Sequence, residues 1–131
     1  MSDPIHDAGM TVRREVLGDG YVDAALARTD EFTAAFQDFI TRYAWGSVWT
    51  RDGLDRRARS MITLSVLTAL GREHELGVHV HAAVGNGLTP AEIGEVLMHT
   101  AVYAGVPAAN AAFAIAQRVL TEEGVIGGPG A

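Results

Sequence analysis

The sequence contains no cysteine and no lysine, and each absence removes a class of chemistry. Without cysteine there is no disulfide, no thiol redox reaction and no thiolate metal site. Because all ten basic residues are arginines, a Schiff-base mechanism and an anchor for pyridoxal phosphate are also excluded. The chemistry must therefore rest on Arg, His, Asp, Glu, Tyr, Ser and Thr side chains and on backbone groups.

Basic clusters and long apolar runs are also scarce. A net charge of −6 without a basic cluster argues against a nucleic-acid partner. No run approaches the roughly 18 apolar residues that a membrane span needs. Residues 1–10 lack the basic and apolar parts of a secretory signal. We therefore expect a cytoplasmic protein that binds neither nucleic acid nor a membrane.

The chain is nevertheless rich in apolar residues, and they recur at helical spacing. A hydrophobic content of 48% in 131 residues suits one domain and predicts a homo-oligomer that buries some surface between subunits. Steps of three and four residues between apolar positions predict an all-α fold. We expect a flexible arm over residues 1–10, a helical domain over 11–123 and a disordered tail over 124–131.

Two predicted helices carry much of this apolar pattern. The first covers Asp30–Tyr43, with apolar side chains at Phe32, Ala35, Phe36, Phe39, Ile40 and Tyr43. The second begins after Asp55 and is apolar on most sides, which predicts the buried centre of a bundle. Between them, Trp45–Gly53 contains two tryptophans and two glycines and predicts a loop or a strained short helix. Further along, Thr89–Glu92 reads TPAE, which predicts a helix start with a capping box.

One polar stretch, Arg72–His79, interrupts the apolar pattern with the sequence REHELGVH. Helical spacing would place Arg72, Glu75 and His79 on one face, where they could bind an anion and move a proton. Glu75 would fix the tautomer of His79 and raise its pKa. An exposed ion pair explains the same spacing, so the spacing alone leaves both interpretations open.

A metal site is not favoured by the histidine spacing. A zinc-protease helix needs two histidines four residues apart, whereas His74 and His79 are five apart, about 140° around a helix. His81 and His74 share a different face from His79. Trp45 and Trp49, beside several arginines, could instead wall an apolar pocket with carboxylate-binding groups. Burial of the tryptophans in the core is the alternative.

Three blocks of sequence resemble the γ-carboxymuconolactone decarboxylase family. They read TRYAWGSVWTRDGLDRRARS (41–60), GREHELGVHVHAAVGNGLTPAEIGEVL (71–97) and YAGVPAANAAF (103–113), and VRREVLGD (12–19) extends the match over about residues 10–122. The resemblance implies the helical bundle shared with alkylhydroperoxidase D, assembled into ring-like trimers or hexamers. In the peroxidase branch a glutamate, two cysteines and a histidine occupy the positions of Ser60, Arg72, Glu75 and His79. Peroxidase activity is excluded here because the thiols are absent.

The resemblance also implies an enzyme, a carboxy-lyase without a cofactor or metal. Its reaction converts 4-carboxymuconolactone to 3-oxoadipate enol-lactone and CO₂, in protocatechuate breakdown by the β-ketoadipate pathway. Loss of CO₂ leaves a dienolate, which a general acid must protonate at the α carbon. We expect His79, poised by Glu75, to donate that proton. Arg72 or Arg59 would bind negative charge, and Trp45 and Trp49 would exclude water.

Two positions depart from the family pattern. Ser47 stands where an acidic residue is common, and His81, a candidate substrate-binding residue, stands where an arginine is common. If these residues touch the substrate, the chain acts on a different lactone or keto acid by proton transfer. A non-catalytic oligomeric binding protein is the further alternative.

Overall fold

The computed structural model describes residues 3–130, and this range is helical with no strand. Seven α-helices and one π-helical segment follow one another in it. They are α1 (Pro4–Leu17), α2 (Asp19–Ala27), α3 (Ala34–Ile40), the π segment (Thr41–Trp49), α4 (Arg56–Leu70), α5 (Glu73–Gly85), α6 (Pro90–Ala104) and α7 (Val106–Glu122). The predicted all-α class is confirmed. Within the described range, no helix has the length and apolar character needed to cross a membrane.

The described residues group into two compact units. The N-terminal unit ends at Asp55 and the C-terminal unit begins at Arg56. In the first unit, α1 packs chiefly on the π segment, and in the second unit α4 to α7 pack on one another. The division follows from these separate packing networks, which helical periodicity along the sequence does not report.

The first helix begins earlier than expected, because residues 4–10 form its first turns instead of a flexible arm. The Asp3 side chain accepts a hydrogen bond from the His6 backbone N–H at 3.2 Å, and Pro4 occupies the first helical position. Glycines allow α1 to approach the π segment closely. A Cβ added at Gly46 would lie 2.5 Å from the Ile5 carbonyl oxygen, and one at Gly9 would clash with the Thr41 carbonyl.

The loop or strained short helix predicted at Trp45–Gly53 is π-helical as far as Trp49 and non-helical turn over 50–53, and the π segment starts earlier than predicted, at Thr41. Arg13, only 3% exposed, donates to the Gln37 side-chain oxygen at 3.1 Å and to the Thr41 hydroxyl at 3.3 Å. That hydroxyl donates in turn to the Gln37 carbonyl oxygen at 2.8 Å. These hydrogen bonds stabilise the point where the α-helical turn widens into the π-helical one.

The C-terminal unit has a hydrophobic core between α4, α5, α6 and α7. Its most buried side chains are Leu64, Leu76, Val80, Ala83, Ile93, Leu97 and Ala112. The prediction that α4 is buried on most sides is wrong for the single chain, because Ile62, Val66 and Leu70 are 52%, 48% and 62% exposed. Only one face of α4 reaches the core, so its other apolar face remains uncovered.

Two predictions for the C-terminal unit, the start of α6 and the tail after α7, had different outcomes. The capping box at Thr89 is confirmed, since Thr89 and Glu92 bond to each other's backbone N–H groups at 3.1 and 3.0 Å. The disordered tail is wrong for residues 124–130. There Ile126 packs against the core, and the N–H groups of Val125 and Ile126 donate to the Leu120 carbonyl at 2.9 and 3.3 Å. Met1, Ser2 and Ala131 lie outside the described residues.

Candidate active site

The candidate site is built on α5, which carries the central histidine. Leu76 and Val80 on this helix are 2% and 0% exposed and point into the core. His79 lies beside that face and is half-buried. Glu73 and Glu75 occupy the first turn, where carboxylates interact favourably with the positive end of the helix dipole. The helix therefore holds an imidazole at the boundary between the apolar core and the surface.

Burial determines the charge of this imidazole. Desolvation lowers the pKa of His79 to about 4, while the nearby Glu75 carboxylate acts in the opposite direction. Glu75 itself is exposed, and among residues 3–130 no hydrogen bond or ion pair joins it to His79. The predicted rise in the His79 pKa is therefore wrong, because the desolvation cost exceeds the attraction of a solvated carboxylate. His79 is neutral near pH 7 in the empty protein.

Arg72 does not share the helical face predicted for it. It precedes α5 as the N-cap residue, with φ −86° and ψ 76°, so its side chain does not follow the helical progression. Its side chain is exposed. The predicted grouping of three residues on one helical face thus holds for Glu75 and His79 and fails for Arg72.

Arg59 lies near the other end of α5. The neighbouring Ser60, 1% exposed, accepts a hydrogen bond from the Asn86 side-chain amide at 2.8 Å. This bond joins the start of α4 to the end of α5. Since α5 has 13 residues, about 20 Å of helix separates the Arg59 end from the Arg72 end. One arginine therefore lies toward each end of the helix, with His79 between them.

His81 lies on a different face of α5 from His79, as the sequence predicted. Its imidazole Nδ1 contacts the Glu123 carboxylate, which follows α7, and both side chains are partly exposed. The ion pair links α5 to the end of α7 within the C-terminal unit. A role for His81 in substrate binding stays a prediction.

Sequence reasoning missed the residues that fix the turn between α5 and α6. The Arg57 guanidinium donates to the Gly87 carbonyl oxygen and to the Glu92 carboxylate. The backbone N–H of Thr89 and then Arg57 hold the pKa of Glu92 below its usual range. Together with Asn86, these groups set the register of α5 against α4. The signal in the sequence is the amide side chain of Asn86 between Gly85 and Gly87.

Trp45 and Trp49, which were predicted to wall a pocket, belong to the N-terminal unit. Trp45 is 7% exposed, and its ring centroid lies 5.1 Å from that of Trp49, with the planes tilted by 30°. Ser47 between them is exposed and donates its hydroxyl to the Arg42 carbonyl oxygen at 3.0 Å. The alternative of burial in the core is therefore confirmed for Trp45, while Trp49 is half-buried. Across the described part of the chain, no three His, Asp or Glu side chains group closely enough to hold a metal ion.

Comparison with known proteins identifies relatives of the chain. The sequence pattern of the carboxymuconolactone decarboxylase family matches residues 34–118. The chain is 47% identical to a 4-carboxymuconolactone decarboxylase of Acinetobacter baylyi over 117 residues, 89% of this chain and 87% of that protein. It is 42% identical to a nitrosuccinic acid decarboxylase of Metarhizium robertsii over 118 residues, 90% of this chain and 82% of that protein. It is also 54% identical over 41 residues to a 4-carboxymuconolactone decarboxylase of Pseudomonas putida, 31% of this chain and 85% of that one.

Proposed function

Because the chain belongs to the carboxymuconolactone decarboxylase family, we propose that it converts 4-carboxymuconolactone to 3-oxoadipate enol-lactone and CO₂. The observation that carries this proposal is the 47% identity to the Acinetobacter baylyi enzyme over 89% of the chain. The half-buried His79 on α5 supports it, because the reaction needs a proton-transfer group beside a water-poor surface.

The reaction needs two chemical steps. The bond between the γ carbon and the carboxylate breaks and CO₂ leaves. The electron pair spreads through the double bond to the carbonyl oxygen of the lactone. The resulting dienolate then takes one proton at its α carbon, which gives the enol-lactone. The protein must bind the substrate's carboxylates, stabilise the oxygen anion and supply the proton.

His79 is the proposed proton donor. In the empty site the imidazole is neutral, because burial lowers the pKa of His79 to about 4. An arriving substrate brings carboxylates, and negative charge close to an imidazole raises its pKa. The substrate therefore promotes uptake of the proton that the dienolate later receives. Glu75 assists in the same direction, although solvent around its exposed carboxylate weakens that contribution.

The arginines have separate proposed roles because they lie toward opposite ends of α5. Arg59, half-buried beside Ser60, is suited to a carboxylate that stays bound, since a guanidinium can form two parallel hydrogen bonds with it. Arg72 is exposed and is suited to attracting an anionic substrate from solution. A role for Trp45 and Trp49 as an apolar wall stays a prediction from the sequence, since both belong to the N-terminal unit.

The test is turnover in D₂O with purified protein and 4-carboxymuconolactone. We expect loss of the lactone, one equivalent of CO₂ and a product with one deuterium at the α carbon. An unchanged lactone would refute the proposed reaction. Thermal stabilisation by the lactone without CO₂ release would instead favour the non-catalytic binding protein.

A second substrate is suggested by the relative named nitrosuccinic acid decarboxylase, which is 42% identical over 90% of this chain. In 2-nitrosuccinate one carbon carries a carboxylate, a carboxymethyl arm and a nitro group. In 4-carboxymuconolactone the γ carbon also carries a carboxylate and a carboxymethyl arm, and the adjacent C=C bond connects it to the lactone carbonyl. Loss of CO₂ leaves an oxygen-stabilised anion in both cases. CO₂ release from each compound, compared at equal concentration, distinguishes the two activities.

The proposed assembly is a ring-like homo-oligomer, a trimer or hexamer. Its support is the apolar composition together with the exposed apolar face of α4. The cytoplasmic location stays a prediction from the sequence.

A further inference from the structure

Two apolar surfaces lie exposed to solvent, one a stripe of aromatic rings and the other a groove. The first, which we name the aromatic ridge, consists of Phe32, Phe36, Phe39 and Tyr43. The second, the apolar groove, runs between α4 and α6 and has a volume of about 820 Å³. Neither surface includes His79 or the arginines of the candidate site.

The aromatic ridge is a continuous stripe. Its members follow one another at steps of four, three and four residues, with Phe32 in the turn before α3, Phe36 and Phe39 on α3, and Tyr43 in the π segment. Their side chains are 92%, 60%, 55% and 61% exposed. The rings of Phe39 and Tyr43 stack with centroids 5.3 Å apart. Four neighbouring exposed rings are unusual on a protein surface that meets only water.

The apolar groove is lined mainly by aliphatic side chains and methionines. Ile62 and Val66 form one wall, and Met98 and Val102 form the other; the last two are 55% and 75% exposed. The groove is open along its length, whereas small-molecule sites enclose most of their ligand. Of its four polar lining residues, Ser65 accepts a hydrogen bond from the Thr100 hydroxyl at 2.9 Å, Glu92 pairs with Arg57, and Glu95 and His99 are exposed to solvent.

The exposed area of the aromatic ridge is large enough for contact with a protein partner. A buried aromatic side chain covers roughly 150–250 Å², so four partly exposed rings supply about half or more of the ~800 Å² that each side of a standard interface contributes. The open groove gives those rings an apolar surface of matching character. Both surfaces belong to the same chain, so every copy that carries a ridge also carries a groove at equal concentration.

We propose that the aromatic ridge of one copy packs into the apolar groove of a second copy. The contact is heterologous, because it joins two different surfaces, and such contacts give a ring where the rotation between copies closes. This inference gives the proposed homo-oligomer a specific contact. It does not depend on which substrate the protein decarboxylates, and its test measures mass rather than turnover.

The test uses two charge substitutions and a matched control. Phe36→Glu places a carboxylate on the ridge, and Val66→Glu places one in the groove. Val125→Glu changes an apolar side chain of similar exposure, 37%, outside both surfaces. All three positions are exposed, and circular dichroism checks that each variant keeps its helices. Sedimentation velocity then gives the mass of each variant and of an equimolar mixture of the first two.

We expect the wild type and Val125→Glu to form the same oligomer, and each of the other two variants to be a single chain. In the mixture, the intact groove of Phe36→Glu binds the intact ridge of Val66→Glu. That mixture should therefore form a heterodimer of twice the single-chain mass. A monomeric wild type, an oligomer formed by either Phe36→Glu or Val66→Glu alone, or a mixture that stays monomeric would overturn the proposal. Ridge-to-ridge pairing belongs to the second case, because Val66→Glu alone would then remain a homodimer.

Discussion

His79 and His81 lie two residues apart on α5, yet the fold gives them opposite surroundings. His79 is half-buried beside the core, and desolvation lowers its pKa to about 4. His81 is exposed and pairs with the Glu123 carboxylate. One imidazole is thus desolvated beside the core, and the other contacts a carboxylate at the surface. The difference shows that local packing, rather than residue type or nearby sequence, determines what each histidine can do.

The largest expected effect separates the two histidines by turnover. His79→Gln removes the proposed proton donor, and general acid catalysis contributes about 10²–10⁴-fold. We expect the kcat for CO₂ release to fall within that range. The matched control is His81→Gln, which should keep kcat within about twofold because His81 lies on another face. Equal losses in the two variants would remove the functional distinction between them.

The second prediction concerns stability against pH. The unfolded His79 has an ordinary pKa of 6.5 and the folded one about 4, so the unfolded chain binds more protons between these values. The contribution is fully present above pH 6.5 and is lost as pH falls toward 4. At about 1.4 kcal/mol per pKa unit, the loss amounts to at most about 3 kcal/mol.

Urea unfolding of the wild type and of His79→Gln from pH 7.5 down to pH 4 measures this contribution. The free energy of unfolding of the wild type, relative to that of His79→Gln, should fall by up to this amount as the pH is lowered from 7.5 to 4. His81→Gln should instead follow the wild type with no change of this size. A constant wild-type to His79→Gln difference at all pH values would contradict the desolvation of His79.

A smaller effect tests what holds α5 in register. Asn86→Ala leaves the buried Ser60 hydroxyl without its 2.8 Å donor, which should cost about 1–3 kcal/mol of unfolding free energy. Ser60→Ala combined with Asn86→Ala removes both partners, and the double variant should lose less than the sum of the single ones. Additive losses in a denaturation cycle would mean that the hydrogen bond does not couple the two helices.

The smallest expected effect is that of the surface pair. Glu123→Gln breaks the contact with His81, and exposed ion pairs contribute at most about 1 kcal/mol. We expect a loss within that limit that diminishes at high salt, with kcat unchanged. A loss of several kcal/mol in thermal or urea unfolding would show that this face of α5 is as important for stability as the buried one.

Helical periodicity predicted much of the fold, including the capping box at Thr89 and the separate faces of His79 and His81. It did not predict what covers each apolar face. The stripe from Phe32 to Tyr43 was recognised at its correct spacing, yet its rings are exposed in the single chain. Spacing identifies a face, and only packing against another element, or another copy, determines whether that face is buried.

The candidate site shows the same limit. The sequence placed Glu75 and His79 one helical turn apart, but the pKa of His79 depends on burial among residues that are distant in sequence. Arg72 left the predicted face because the helix begins one residue later, and helix ends are poorly specified by propensity. The π segment depends on Gly9 and Gly46 meeting across 37 residues of sequence, a contact that spacing does not indicate.

The most direct test of the account is an NMR titration of the His79 imidazole, assigned by comparison with His79→Gln. In the empty protein we predict a midpoint at about pH 4, as burial dictates. Saturation with succinate, a stable dicarboxylate, should move the midpoint upward because bound carboxylates favour the imidazolium. A midpoint near 6.5 in the empty protein, unmoved by succinate, would contradict the claim that a desolvated His79 takes up its proton with the substrate.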